Sequence, residues 1–235
     1  MTGTLINAAA VITAGVLGTL LGDRLPERVR QTVMAGIGLT TLLIGAQMAL
    51  KTGHLLIVLG SIVVGAVVGE LLNIDLGLER LGRFLESRLG RLKLPGFGES
   101  GAFTRGFVTA SLVFCVGPMA IVGSIQDGLT GDYQTLAVKS MLDGFAALAF
   151  SSSLGLGVPF SALSVLLYQG ALSLGAGSLK SLLTDPMINE MTATGGILIL
   201  GIGLQLLEIR RIRVANILPA VALAPLAVAY LGAWL

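Results

Sequence analysis

The chain has 235 residues, 54% of them hydrophobic and 12% charged, with a mean hydropathy of +0.90. A soluble domain carries roughly 25% charged residues, so this composition excludes an ordinary water-soluble fold and marks an integral membrane protein. The net charge of +2 and pI of about 8.9 do not signal nucleic-acid binding, because the basic residues lie in short connections between apolar runs and form no basic domain.

A spanning helix needs about 20 predominantly apolar residues. In chain order, eight segments meet or nearly meet that length: about 4–22, 31–50, 54–74, 103–126, 135–155, 158–179, 191–207 and 214–235. Seven spans with one re-entrant hairpin is the alternative. The first run starts almost at Met1 and lacks a positive leader, so it reads as a retained helix rather than a cleaved signal peptide. Twelve basic residues lie in or around the odd-numbered connections (Arg24, Arg28, Arg30, Arg80, Arg83, Arg88, Arg91, Lys93, Arg105, Arg210, Arg211, Arg213) and three in or beyond the even-numbered ones (Lys51, Lys139, Lys180). The positive-inside rule then puts the odd connections in the cytoplasm and, with eight spans, both termini outside.

The chain divides into three spans (1–74), a connecting stretch (75–100) and five spans (101–235) of one integral membrane domain. In the connection, Leu78, Leu81, Phe84, Leu85, Leu89 and Leu92 recur at helical spacing among Arg80, Arg83, Arg88, Arg91, Glu79 and Glu86, which reads as an amphipathic helix on the cytoplasmic interface. Residues 93–100 follow as a Pro/Gly loop. Span three carries Gly60, Gly65 and Gly69, a face suited to close packing against a second copy in a homodimer. A short internal repeat, G-x5-I-G-x-Q, occurs at Gly38–Gln47 and again at Gly196–Gln205. On the eight-span topology spans two and seven run in opposite directions, so the repeat is inverted, as in many secondary transporters.

The densest polar region runs from Cys115 to Ser153. Pro118 has no amide hydrogen and clashes with the preceding turn, so with Gly117 it is expected to break span four and to free backbone groups that only protein or a wet cavity can satisfy. Gln126, Asp127 and Asp132 follow near the outer surface. Asp132 is placed to cap span five, and Asp127 reads as a loop acid or a lining group of an access funnel. Span five then carries Lys139 and Asp143 one helical turn apart, with Asp143 about 15 Å into the helix. Charges at that depth are costly and usually mark an ion or substrate path. Asp143 is the candidate coupling or coordinating acid and Lys139 its partner. Ser124, Gln126, Ser151 and Gln169 are candidate lining groups, with Gly117 and Pro118 supplying the broken helix. Ser152, Ser153, Thr192, Thr194 and Asn216 read as helix glue.

One cysteine, Cys115, and one histidine, His54, leave no basis for a disulfide, a Cys-based metal cluster or a multi-His site. No metal, cofactor or nucleic-acid partner is expected. No P-loop, H-E-x-x-H or G-x-S-x-G motif is present, and Lys139 next to Ser140 diverges by about 100° on a helix, so no enzyme is expected.

The stretches Thr2-Gly-Thr-Leu-Ile-Asn-Ala8, Leu25-Pro-Glu-Arg28, Lys139-Ser-Met-Leu-Asp-Gly144, Tyr168-Gln-Gly170 and Thr192–Leu204, and above all Cys115-Val-Gly-Pro-Met-Ala-Ile-Val-Gly-Ser-Ile-Gln-Asp127 with its continuation to Asp132, resemble the YqgA/YdfK-like bacterial inner-membrane proteins, nearly end to end. The resemblance implies a multi-pass protein of the cytoplasmic membrane with a suggested transport role. It supplies no substrate, cofactor or catalytic residue. The expectation is an all-α bundle acting as a small secondary or ion-coupled transporter of an ion or metabolite. The alternatives are a channel, or a structural or regulatory protein whose amphipathic helix holds a cytoplasmic partner.

Overall fold

The computed structural model describes residues 1–22, 26–89, 101–180 and 183–231. Among these the secondary structure is all helical: α1 Thr2–Gly22, α2 Glu27–Ala49, α3 Leu55–Leu72, α4 Ile74–Leu89, α5 Ala102–Cys115, α6 Pro118–Thr130, α7 Gln134–Leu154, α8 Gly157–Phe160, α9 Ala162–Leu174, α10 Ala176–Lys180, α11 Asp185–Leu206, a 3-10 turn Val214–Ile217, and α12 Pro219–Leu231. The fold is a polytopic helical membrane bundle. Five helical segments (Thr2–Gly22, Gln31–Ala49, Leu55–Leu72, Gly157–Leu174, Asp185–Leu206) are long and apolar enough to cross a bilayer, and six if the bent pair α5–α6 counts as one span. The difference from the expected eight lies in two places. The 21-residue α7 is long enough but carries Lys139, Asp143 and a serine run, and the last apolar stretch, Val214–Tyr230, is short.

The amphipathic helix is present as α4, with Asp75 in its first turn and Arg88 in its last, the arrangement that suits a helix dipole. Leu76, Leu81 and Phe84 are exposed on it, and the Arg88 guanidinium lies 5.1 Å from the Phe84 ring centroid. Arg91, Leu92 and the Pro/Gly loop 93–100 lie outside the described residues. Span four is broken as expected: α5 ends at Cys115, α6 begins at Pro118, and the two segments are bent by 65°.

The chain forms two compact units. The first comprises Met1–Ile37, Leu78–Cys115 and Met119–Lys180. Its axis is the pairing of α1 with α7. The buried face of α1 is a stripe of small and polar residues (Thr4, Asn7, Ala8, Val11, Gly15, Gly18, Thr19). A Cβ on Gly18 would lie 2.2 Å from the Leu148 carbonyl oxygen, and one on Gly22 2.2 Å from that of Ser152. Backbone contact this close is available to glycine alone and is the usual means of tight packing in lipid. Gly3 meets Leu136, so residue numbers rise together and the two helices are parallel. By the same reasoning α1 runs antiparallel to the α8–α9 segment, because Met1 meets Gly170 and Gly15 meets Pro159. The outer face of α7, Val138, Met141, Leu142 and Phe145, is exposed and apolar, as a lipid-facing stripe must be.

The second unit comprises Gly38–Gly77, Val116–Pro118 and Ser181–Leu235. Here the α2 segment packs antiparallel on α11 through the repeated motif. Gly45 meets Leu200 while Gly203 meets Leu42, and Gly38 meets Leu207 while Gly196 meets Ala49. Helix α3 packs antiparallel on the 3-10 turn and α12, with a Cβ on Gly69 falling 1.8 Å from the Asn216 carbonyl oxygen and one on Gly65 2.4 Å from the Ala220 nitrogen. This corrects the reading of Gly60, Gly65 and Gly69 as a dimer face. Two of the three are filled within the chain, and only Gly60 has nothing within 4 Å.

Candidate functional site

The first unit contains a polar centre built by α1 and α7. The Asp143 carboxylate accepts from Lys139 Nζ, one turn away on α7, and from Asn7 Nδ2 on α1 at 2.9 Å. Both bonds fall on Oδ2. Lys139 and Asp143 keep 8% and 11% side-chain exposure, so the pair is nearly enclosed. An ion pair withdrawn from water seldom recovers its desolvation cost, and apolar replacements of such pairs are often as stable. Its presence on the inward face of a helix whose outer face is lipid-facing therefore calls for a reason other than stability.

The surroundings sharpen the point. Thr4 Oγ1, Asn7 Oδ1, Ser124 Oγ and both polar atoms of the Gln169 amide are buried, and among the described residues no hydrogen-bond partner reaches them. Helix register sets their depth. Gln169 precedes Gly170, which meets Met1, so it lies level with the first turn of α1, where Thr4 sits. Gly123 of α6 packs on Thr135 and Leu136, and the Ser124 carbonyl accepts Ser173 Oγ at 2.9 Å. Thr4, Ser124 and Gln169 thus lie near the first turn of α1 and the start of α7, about one to two turns outward of the ion pair, on three helices besides α7. Native structures leave few buried polar groups unsatisfied, and each costs about 1–3 kcal/mol. Thr4, Asn7, Ser124 and Gln169 are therefore an unusual concentration of such groups within one unit.

Not every expected residue belongs to this centre. Gln126 is exposed near the end of α6, its Oε1 accepting from Thr135 Oγ1 of α7 at 2.8 Å. Asp127 is neither a loop acid nor a funnel group. It is 2% exposed and anchors the start of α1, accepting from the Met1 amino nitrogen at 3.1 Å and the Gly3 amide at 2.9 Å. Ser151 is buried with an unpartnered hydroxyl but lies two turns beyond Asp143, about 12 Å along the helix. Gly117 and Pro118 form the break itself and belong to the second unit, where Val116 packs on Gly195 of α11. Asp132 accepts from the Gln134 amide at 3.1 Å but sits one residue before the cap position of α7, which is Tyr133 and carries no side-chain cap bond. The helix-glue reading holds for Ser152, Thr192 and Thr194, which bond back to helix carbonyls. The residue that sequence reasoning missed is Asn7. Its signal was the helical spacing of Thr4, Asn7, Ala8 and Val11 on α1, a polar stripe in a helix with no charge to draw attention to it.

The second unit has a buried acid of a different kind. Glu190, 2% exposed on α11, accepts from the Gly53 amide at 2.7 Å and the His54 amide at 3.0 Å on one oxygen, and from Thr52 Oγ1 at 2.7 Å on the other. It closes the turn between α2 and α3 and satisfies the free amides at the start of α3. Asn216 does the equivalent at the other end of α3, accepting from the Asp75 amide and donating to Glu70, both at 2.7 Å. No group of three or more His, Cys, Asp or Glu able to hold a metal occurs among the described residues.

The sequence matches, over residues 2–229, the family described as "Protein of unknown function (DUF554)". It is 35% identical over 233 residues to "Uncharacterized protein YqgA" of Escherichia coli (strain K12), covering 99% of this chain and 98% of that one. It is 28% identical over 235 residues to "Uncharacterized membrane protein YdfK" of Bacillus subtilis (strain 168), covering 97% and 96%. No solved structure matches the chain. With its spanning helices and a match from end to end, the chain belongs to the DUF554 family of YqgA- and YdfK-like proteins.

Proposed function

We propose that this protein is a small secondary transporter of the bacterial cytoplasmic membrane, with no enzymatic activity, which carries a small polar substrate through the centre formed by Asn7, Lys139 and Asp143. The observation that carries this reading is the buried ion pair bonded to Asn7, in a unit that also holds buried hydroxyl and amide groups with no partner among the described residues. A purely structural pair would be expected to have its neighbours satisfied or apolar.

Two features of the helix arrangement support the same reading. The motif shared by α2 and α11 packs with glycine against leucine in both directions, which fits an inverted repeat of the kind found in secondary transporters. The parallel run of α1 and α7 supports α5–α6 as one broken span: a chain that has crossed at α1, α2 and α3 returns parallel to α1 only after a further crossing. A broken span beside an intramembrane charge is a recurrent design for binding sites in carriers. The basic bias of the odd connections gives the orientation, with α4 on the cytoplasmic face.

A second reading, a protein that holds a cytoplasmic partner, is favoured by the exposed Leu81 and Phe84 of α4 beside Arg80, Arg83 and Arg88. The two separate in a thermal-stability screen of the purified protein against ions, amino acids and small organic anions, run on wild type and Asp143→Asn. A compound that binds the folded state raises the melting temperature by mass action. The transporter reading expects at least one compound that stabilises wild type and not the variant. If no compound on the panel shifts wild type, the partner reading takes its place.

A further inference from the structure

The unused bonding capacity of the polar centre says what kind of molecule it takes. This step rests on the transport reading above. Asp143 receives both of its bonds on Oδ2, so Oδ1 is left to accept from a further donor. Lys139 spends one of its three ammonium protons on Asp143, which leaves two to donate. One anionic acceptor and a set of cationic donors therefore stand side by side, one helical turn apart. The remaining groups with capacity to spare, Thr4 Oγ1, Asn7 Oδ1, Ser124 Oγ and the Gln169 amide, are all neutral.

Charge decides among guests. Lys139 and Asp143 sum to zero wherever the shared proton resides. A cation entering beside them would leave the buried centre with a net positive charge. An anion would leave the centre net negative against the carboxylate. Like charges at this separation in a medium of low polarity repel strongly. A guest with one positive and one negative end adds no net charge. It can direct its donor to Asp143 Oδ1 and its acceptor to Lys139 Nζ, and its polar remainder can bond to Gln169, Ser124 and Thr4. We infer that the centre between α1, α6, α7 and α9 binds a small zwitterion of the amino-acid class, its ammonium on Asp143 and its carboxylate on Lys139.

The inference is tested by tracer uptake into proteoliposomes holding the full chain. The probes are radiolabelled glycine, L-alanine and L-serine, set against urea as a neutral solute and against sodium, rubidium and acetate as single charges. The variant is Gln169→Leu, which removes an unpartnered amide without touching the ion pair; Asp143→Asn is run beside it. The expected result is saturable uptake of at least one amino acid, at least tenfold above protein-free vesicles, that falls at least tenfold in Gln169→Leu while that variant keeps the wild-type gel-filtration profile. Uptake confined to sodium, rubidium, acetate or urea and abolished by Asp143→Asn overturns the zwitterion assignment and leaves the transport reading standing. No uptake of any tracer above protein-free vesicles overturns both.

Discussion

Asp143 and Glu190 are both carboxylates buried within a helical unit of a membrane protein, yet their surroundings are opposite. Both Glu190 oxygens are used, by two backbone amides and a hydroxyl, and all three donors belong to one short turn. Asp143 uses one oxygen, for a lysine and an asparagine, and the Oδ1 of that asparagine has no partner among the described residues. The first arrangement is what a structural acid looks like: its charge is offset by the free amides at a helix start and nothing is left to bond. The second leaves bonding capacity unused. Burial alone does not distinguish the two; the state of the neighbouring donors and acceptors does.

The largest expected effect lies in breaking the ion pair on one side only. Lys139→Met or Asp143→Leu alone leaves an unpaired buried charge, and the loss of folding stability should be about 3–5 kcal/mol. The double variant should recover most of that loss and remain inactive. Unfolding titrations of the four proteins in mixed micelles measure the cycle, and a double variant as unstable as the singles would make the pair structural and dissolve the contrast with Glu190. Next comes the seam that brings Asn7 to Asp143. Gly18→Leu forces side-chain atoms onto the Leu148 carbonyl, and overpacking of this sort costs about 1–3 kcal/mol or more. Its melting temperature should fall while Gly60→Leu, with open space around it, stays near wild type.

Glu190→Gln sharpens the comparison from the other side. It keeps an acceptor but loses the charge at the start of α3, for a loss of about 1–2 kcal/mol. Any ligand-induced rise in melting temperature should survive unchanged; its disappearance would mean that Glu190 takes part in binding. The smallest effect on stability is expected for Gln169→Leu. Removing a buried amide that has no partner should be neutral or stabilising by about 1 kcal/mol, while the response to ligand is lost. A clear destabilisation instead would show that the amide is bonded in the membrane.

Much of the architecture is legible in the residues. Apolar runs of span length announce the helices because a bilayer leaves the backbone no other way to satisfy itself. Gly117-Pro118 marks the break, since proline cannot continue the hydrogen-bond ladder. Leu81, Phe84 and the interleaved arginines mark α4 by their period. Lys139 and Asp143 stand out because charge is scarce in such helices. Asn7 did not stand out: a neutral amide costs little in a sequence profile, and its importance comes from a contact across 136 positions of chain. Asp127 and Gln126 are adjacent and equally polar, yet one is buried against the start of α1 and the other is exposed and bonded to Thr135 at the start of α7, a difference that depends on which side of α6 meets α1.

The sequence by itself determined that the protein lives in a membrane, where its helices lie, where one of them breaks and which helix carries charge at depth. Each of these follows from the local cost of exposing backbone or charge to hydrocarbon, which residues signal one at a time. Which groups are satisfied was decided only by the tertiary structure. Close packing brought α1 against α7 closely enough for Asn7 to reach Asp143, left Thr4, Ser124 and Gln169 buried with no side-chain partner among the described residues, and turned Glu190 onto the amides of a distant turn. Hydrogen bonding between distant segments is a property of register and close approach, and neither can be read from one helix at a time.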